Sequence, residues 1–152
     1  MNLDTIDLHI LKLLQQNAKM SIKEIADTVG LSVTPTYERM KKIEGSGLIK
    51  STVALLDADL LDRNTVVFCS VSLQVHNIKA IQAFEKAIQK ITEVLECHHI
   101  TGQYDYLLKV VVHDMKAYQY FLTHKLAVIE NIAQVHSNFV MSAVKYTTAL
   151  PL

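Results

Sequence analysis

The spacing of apolar residues along this chain shifts between helical and strand periods, and those shifts divide it. Leu3, Ile6, Ile10, Leu13 and Leu14 recur at intervals of three and four after Asp4, a residue able to cap a helix, and the pattern fades at Gln15, Gln16 and Asn17. A second helix is predicted from Ser21, because Ser21 and Glu24 stand three apart, the spacing at which each side chain satisfies a free backbone N–H near the other. Ile22, Ile25, Ala26 and Val29 follow on one face, and Gly30 can take the left-handed conformation that ends a helix. Ser32 or Thr34 can cap a third helix, whose first turn tolerates Pro35 because N–H groups there have no partner to lose. In it Thr36, Met40 and Ile43 form one stripe, Thr34, Glu38 and Lys41 point the other way, and Tyr37, Arg39 and Lys42 flank them. Gly45, Ser46 and Gly47 end it. The three helices can share one small core of Ile10, Leu14, Ile25, Val29, Met40, Ile43 and Leu48.

Residues 48–56 are rich in β-branched and apolar side chains and predict an extended linking strand; residues 57–63, with Asp57, Asp59 and Asp62, predict a solvated connection. From Asn64 the period becomes two, with Val67, Cys69, Val71, Leu73 and Val75 alternating with Ser70, Ser72 and Gln74. A helix follows on Ile78, Ile81, Phe84, Ile88 and Ile91, then an extended stretch over residues 94–101. Tyr104, Tyr106, Leu108, Val110 and Val112 alternate again, Met115, Tyr118, Leu122 and Leu126 mark another helix, and Ala133, Val135, Phe139, Met141 and Ala143 share one side of a last strand. The order is βαββαβ, the split arrangement of ferredoxin-like folds. Val66, Phe68, Leu107 and Val111 should lie on the sheet face away from the helices, which predicts self-association.

The chain is therefore expected to be α+β: a three-helix helix-turn-helix domain over residues 1–50, a linking strand and loop over 51–63, and a ferredoxin-like βαββαβ domain over 64–152. Two helices joined by a glycine-containing turn, the second with a polar and basic outer face, suit a helix that enters DNA. Charge qualifies this reading. The formal net charge is zero, and residues 1–50 hold seven Lys/Arg against six Asp/Glu, so DNA contact must come from a local patch. Cys69 and Cys97 lie in apolar contexts without CxxC spacing, predicting buried reduced thiols and a cytoplasmic setting. No apolar run reaches the length of a membrane span.

The segments over residues 3–32 (LDTIDLHILKLLQQNAKMSIKEIADTVGLS), 37–50 (YERMKKIEGSGLIK) and 96–112 (ECHHITGQYDYLLKVVV) together resemble the Lrp/AsnC, or feast/famine, transcription regulators. The last is the most specific, through its Gly-x-(Tyr/Phe)-Asp-(Tyr/Phe) turn. The resemblance implies a DNA-binding regulator, not an enzyme, with no cofactor but with an amino acid as effector. It implies double-stranded DNA as a partner and a homodimer that assembles further, up to an octamer. It places Ser32, Thr34, Tyr37 and Lys41 against bases or phosphates, and Arg39 and Lys42 on the DNA backbone. It also places the effector at Thr101, Gly102, Gln103, Tyr104 and Asp105, with His99 beside them and Asn138 on the last strand. Backbone N–H groups at a glycine turn can hold a carboxylate, and Asp105 can pair with an α-ammonium. Without the resemblance, Gly102-Gln103 also reads as a Gly-X hairpin turn. Glu38 among the basic residues lowers the affinity expected of one head, so assembly should supply binding strength.

Two other functions fit parts of the pattern. A metal-responsive regulator could use His98, His99 and His113, although adjacent strand residues point to opposite faces. A haem-pathway decarboxylase of similar fold would use histidines but lack a working DNA helix, whereas Arg39, Lys41 and Lys42 are present here.

Overall fold

The computed structural model describes residues 2–152. They form two compact units, one comprising the chain up to Leu55 together with Val144–Leu152, the other Leu56–Ala143.

The first unit holds α1 (Thr5–Gln16), α2 (Ile22–Val29) and α3 (Val33–Gly45). Reciprocal caps start the first two: Asp4 with Asp7 on α1, and Ser21 with Glu24 on α2. Gly30 ends α2 at φ 73°, the left-handed conformation that glycine adopts without steric cost. Ser32 occupies the cap position of α3 but accepts no capping hydrogen bond through its side chain. Ile10, Ile25, Met40 and Ile43 are buried together, with Leu14, Val29 and Ile49 packed around them. Leu48 is not part of this core, being 47% exposed; the chain turns at Gly47 (φ 77°), and that turn carries Ile49 inward instead. The tail returns to this unit, where the Leu150 N–H donates to Gln15 Oε1 at 2.6 Å and Gln15 Nε2 donates to the Leu150 carbonyl at 3.2 Å.

The second unit is a four-stranded antiparallel sheet in the order β2-β3-β1-β4, with β1 Thr65–Leu73, β2 Val94–His99, β3 Tyr106–Val112 and β4 Ile132–Phe139. Helix α4 (Ile78–Ile88) follows β1, and α5 (Met115–Phe121) follows β3, running on through a wider π turn at Leu122–Leu126. Val67, Cys69, Val71 and Leu73 of β1 and Tyr106, Leu108, Val110 and Val112 of β3 are buried against Phe84, Ile88, Tyr118, Phe121 and Leu126. Val66 pairs opposite Val111, and Ser70 opposite Leu107, so the apolar residues expected on the second face do share it, each half-buried.

Several expectations change in detail. Residues 48–56 pair with no strand among the described residues, so the predicted linking strand forms no ladder. The last strand stops at Phe139, leaving Met141 and Ala143 beyond it. Cys69 is buried but Cys97 is exposed, because β2 is an edge strand. Helix ends leave Ile78 and Met115 outside the core. Two buried side chains also form hydrogen bonds: Thr36 Oγ1 donates to the Ser32 carbonyl at 3.0 Å, and Cys69 Sγ lies 3.1 Å from the Tyr118 hydroxyl.

Candidate DNA-binding and effector sites

On α3 the polar residues divide by what they already touch. Ser32, Thr34, Tyr37, Lys41 and Lys42 are exposed, and neither lysine forms an ion pair with a described residue. Arg39 is different. Its Nη1 donates to Asp4 Oδ2 at 2.7 Å and to Asp7 Oδ1 at 2.6 Å, and the Asp7 side chain is only 3% exposed. Asp7 thus serves twice, accepting from the Asp4 N–H in the cap and holding Arg39 from the neighbouring helix. The Asp7 N–H, and after it Arg39, hold the Asp4 carboxyl below its ordinary range. A guanidinium bound to two carboxylates is a poor candidate for gripping phosphate; its geometry instead ties α3 to the start of α1.

The connection between β2 and β3 runs over residues 100–105, too long for a two-residue Gly-X hairpin. Gly102 sits at φ 124°, where a side chain would be strained, although nothing crowds the position. Thr101, Gly102 and Gln103 are exposed. The base of the turn is closed by the Ile100 N–H donating to the Asp105 carbonyl at 2.8 Å and the Asp105 N–H donating to the Val71 carbonyl at 3.0 Å. His99 stacks on Tyr106 with ring centroids 4.7 Å apart.

Asp105 is also engaged through its side chain. Oδ2 accepts from the Leu73 N–H at 2.7 Å, and both carboxylate oxygens lie 3.0 Å from His76 Nε2. The Leu73 N–H first, and His76 after the opposing effect of burial, hold this carboxyl below its ordinary range. Across the sheet, Asn138 lies level with Phe68, whereas His136 lies level with Ser70 and approaches Tyr104 at 6.2 Å between ring centroids. His136, not Asn138, is thus the β4 residue that meets the turn. Neither His76 nor His136 is marked by any local motif; only the pairing of β1 with β3 and β4 brings them there.

A groove of about 480 Å³ lies on the helix side of β2, lined by Glu85, Gln89, Cys97, His99 and Tyr106 among others, and the turn residues 101–105 do not line it. Tyr106 donates its hydroxyl to Glu85 Oε1 at 2.9 Å, and burial pushes the Tyr106 phenol up in pKa. The three histidines of the metal reading are not brought together. His98 pairs opposite Leu107 and reaches Glu96, His99 faces the helix side, and His113 lies beside Asp114 after β3. Among the described residues no group of three or more His, Cys, Asp or Glu could hold a metal ion.

A helix-turn-helix head fused to a ferredoxin-like sheet domain defines the class: a DNA-binding protein with a separate domain for ligands. The sequence agrees. Residues 3–50 match the family described as winged helix-turn-helix DNA-binding, and residues 66–150 match the Lrp/AsnC ligand binding domain. The Bkd operon transcriptional regulator of Pseudomonas aeruginosa is 39% identical over 150 residues, covering 99% of this chain and 98% of that protein. An AsnC family transcriptional regulator from Agrobacterium tumefaciens superposes with a TM-score of 0.93 at 39% identity, covering 98% of this chain and 97% of that one. A transcriptional regulator from Neisseria meningitidis, solved as a complex with L-Met, superposes with a TM-score of 0.94 at 33% identity, covering 99% and 97%. The chain belongs to the Lrp/AsnC family and is a DNA-binding transcription regulator of that type. Its relatives are regulators, so the decarboxylase alternative falls.

Proposed function

We propose that this regulator reads DNA with Ser32, Thr34, Tyr37 and Lys41, grips the backbone with Lys42, and uses Arg39 to brace the reading helix from behind. The observation that carries this assignment is the division on α3, where Lys41 and Lys42 are exposed without ion-pair partners among the described residues while Arg39 is bound to Asp4 and Asp7. The half-buried apolar face of Val66, Phe68, Leu107 and Val111 supports a homodimer that assembles further, which would present several heads to one stretch of DNA. The effector is an amino acid held at the turn of residues 101–105, with His99 and His136 beside it; the L-Met complex of the Neisseria relative supports that class of ligand. Work on DNA supports a cytoplasmic setting for the regulator. No helix among the described residues is long and apolar enough to cross a membrane.

Anisotropy titrations of the duplex upstream of the regulator's own gene test the reading. Affinity should fall steeply with salt as counterions are released, and Lys41→Ala with Lys42→Ala should flatten the log-log slope by about 0.9 for each phosphate no longer neutralised. Binding that ignores salt, or none at low salt, would overturn it.

A further inference from the structure

Asp105 is held in place without any help from His76. Its N–H donates to Val71, its carbonyl accepts from Ile100, and its Oδ2 accepts from Leu73, all backbone groups. His76 comes from outside this frame, from the loop between β1 and α4. The backbone on both sides of it is pinned: Asn131 exchanges hydrogen bonds of 2.8 Å with the N–H and carbonyl of Val75, and Asn77 caps α4 by accepting from the Ala80 N–H at 2.9 Å. Only the imidazole is left to move, and it is 59% exposed while Asp105 is 23% exposed. Its Nε2 sits 3.0 Å from both carboxylate oxygens, the bridging position that a single cationic nitrogen takes on a carboxylate and that a primary ammonium can also take.

We infer that His76 occupies the cation seat of the effector site, and that an effector binds by placing its own ammonium on Asp105 and turning the imidazole out to solvent. This rests on the assignment of Asp105 to the effector site and names what that site demands of its ligand. An α-amino acid carries the ammonium and can exchange with the imidazole; the matching 2-oxo acid has the same side chain and carboxylate but no cation, and cannot. Protonation strengthens a histidine's hold on a carboxylate, so the exchange is harder at low pH and easier as pH rises. The charged groups bearing on the seat are Asp105 itself and, from β2, His99, whose field also favours the carboxylate form.

The test uses the full chain and thermal-shift screening against the twenty amino acids, with wild type, His76→Ala and Asp105→Asn side by side. The carboxamide introduced by Asp105→Asn keeps an acceptor for the Leu73 N–H, so the turn stays closed. The amino acid giving the largest shift is then titrated calorimetrically between pH 6 and 8, together with its 2-oxo acid. His76→Ala should bind roughly two- to fivefold more tightly at pH 6, the worth of a partly exposed ion pair, and should lose the rise in affinity with pH that wild type shows. The 2-oxo acid should not bind. An amino acid whose shift survives Asp105→Asn would remove Asp105 from the effector site and the exchange with it. A shift lost in Asp105→Asn but unchanged or weakened in His76→Ala would leave the site standing and overturn the exchange. Silence from all twenty in both wild type and His76→Ala would overturn both.

Discussion

Arg39 in the head and Asp105 in the sheet domain each look, by charge and position, ready to hold a ligand, and each is bound to a group 32 positions away in the chain. The two arrangements are not equivalent. Arg39 reaches Asp7, whose carboxylate is shut away from water between helices. Asp105 is met by His76, which stands mostly in solvent. A charge paired with a buried partner cannot leave without stranding that partner, whereas one paired with an exposed partner can exchange it at little cost. Burial of the partner, not the strength of either contact, separates a strut from a seat.

Substitution at the two sites tests this difference most directly. Arg39→Ala should give the larger loss of melting temperature, with Asp7→Ala in the same chain restoring part of it, because the second change removes the stranded carboxylate. His76→Ala should alter the sheet domain by no more than the roughly 0–1 kcal/mol of an exposed pair. Equal losses at the two sites would break the comparison. Gly102→Ala probes the turn itself: its φ of 124° strains a side chain in open space, so denaturation should report a loss of about 1–3 kcal/mol. A neutral outcome there would show that the turn relaxes freely and cannot hold a preset site.

The smallest effect is expected in acid. Because Asp105 has a lowered pKa, its contribution to stability is present above the ordinary carboxylate value of about 3.9 and disappears as pH falls through its lower folded value. Wild type should therefore lose stability more steeply than Asp105→Asn below about pH 4, as melting temperatures across that range would show. Parallel acid limbs would mean that the Leu73 hydrogen bond does not favour the charged form.

Much of the fold was legible because its signals are local. The caps at Asp4 and Ser21 and the left-handed turn at Gly30 lie within a few residues of the groups they serve, and the alternation from Val67 to Leu73 follows from the geometry of a single strand. Where reading failed, a turn or a distant element had intervened. Leu48 lost its place to Ile49 through the turn at Gly47, and Cys97 became exposed because strand order put β2 at the edge. The turn of residues 101–105 was visible as a motif, yet which β4 residue lies beside it depended on register, which puts His136 next to Tyr104.

By itself, the sequence determined the helix-turn-helix head, the βαββαβ order behind it and the family to which both belong. Periodicity and capping act over three or four residues, and the chain writes them plainly. Only the tertiary structure decided that Arg39 braces the head and that His76 rests on Asp105. Those contacts join residues about thirty positions apart, and a side chain's free hydrogen-bonding capacity is known only once the chain has closed around it.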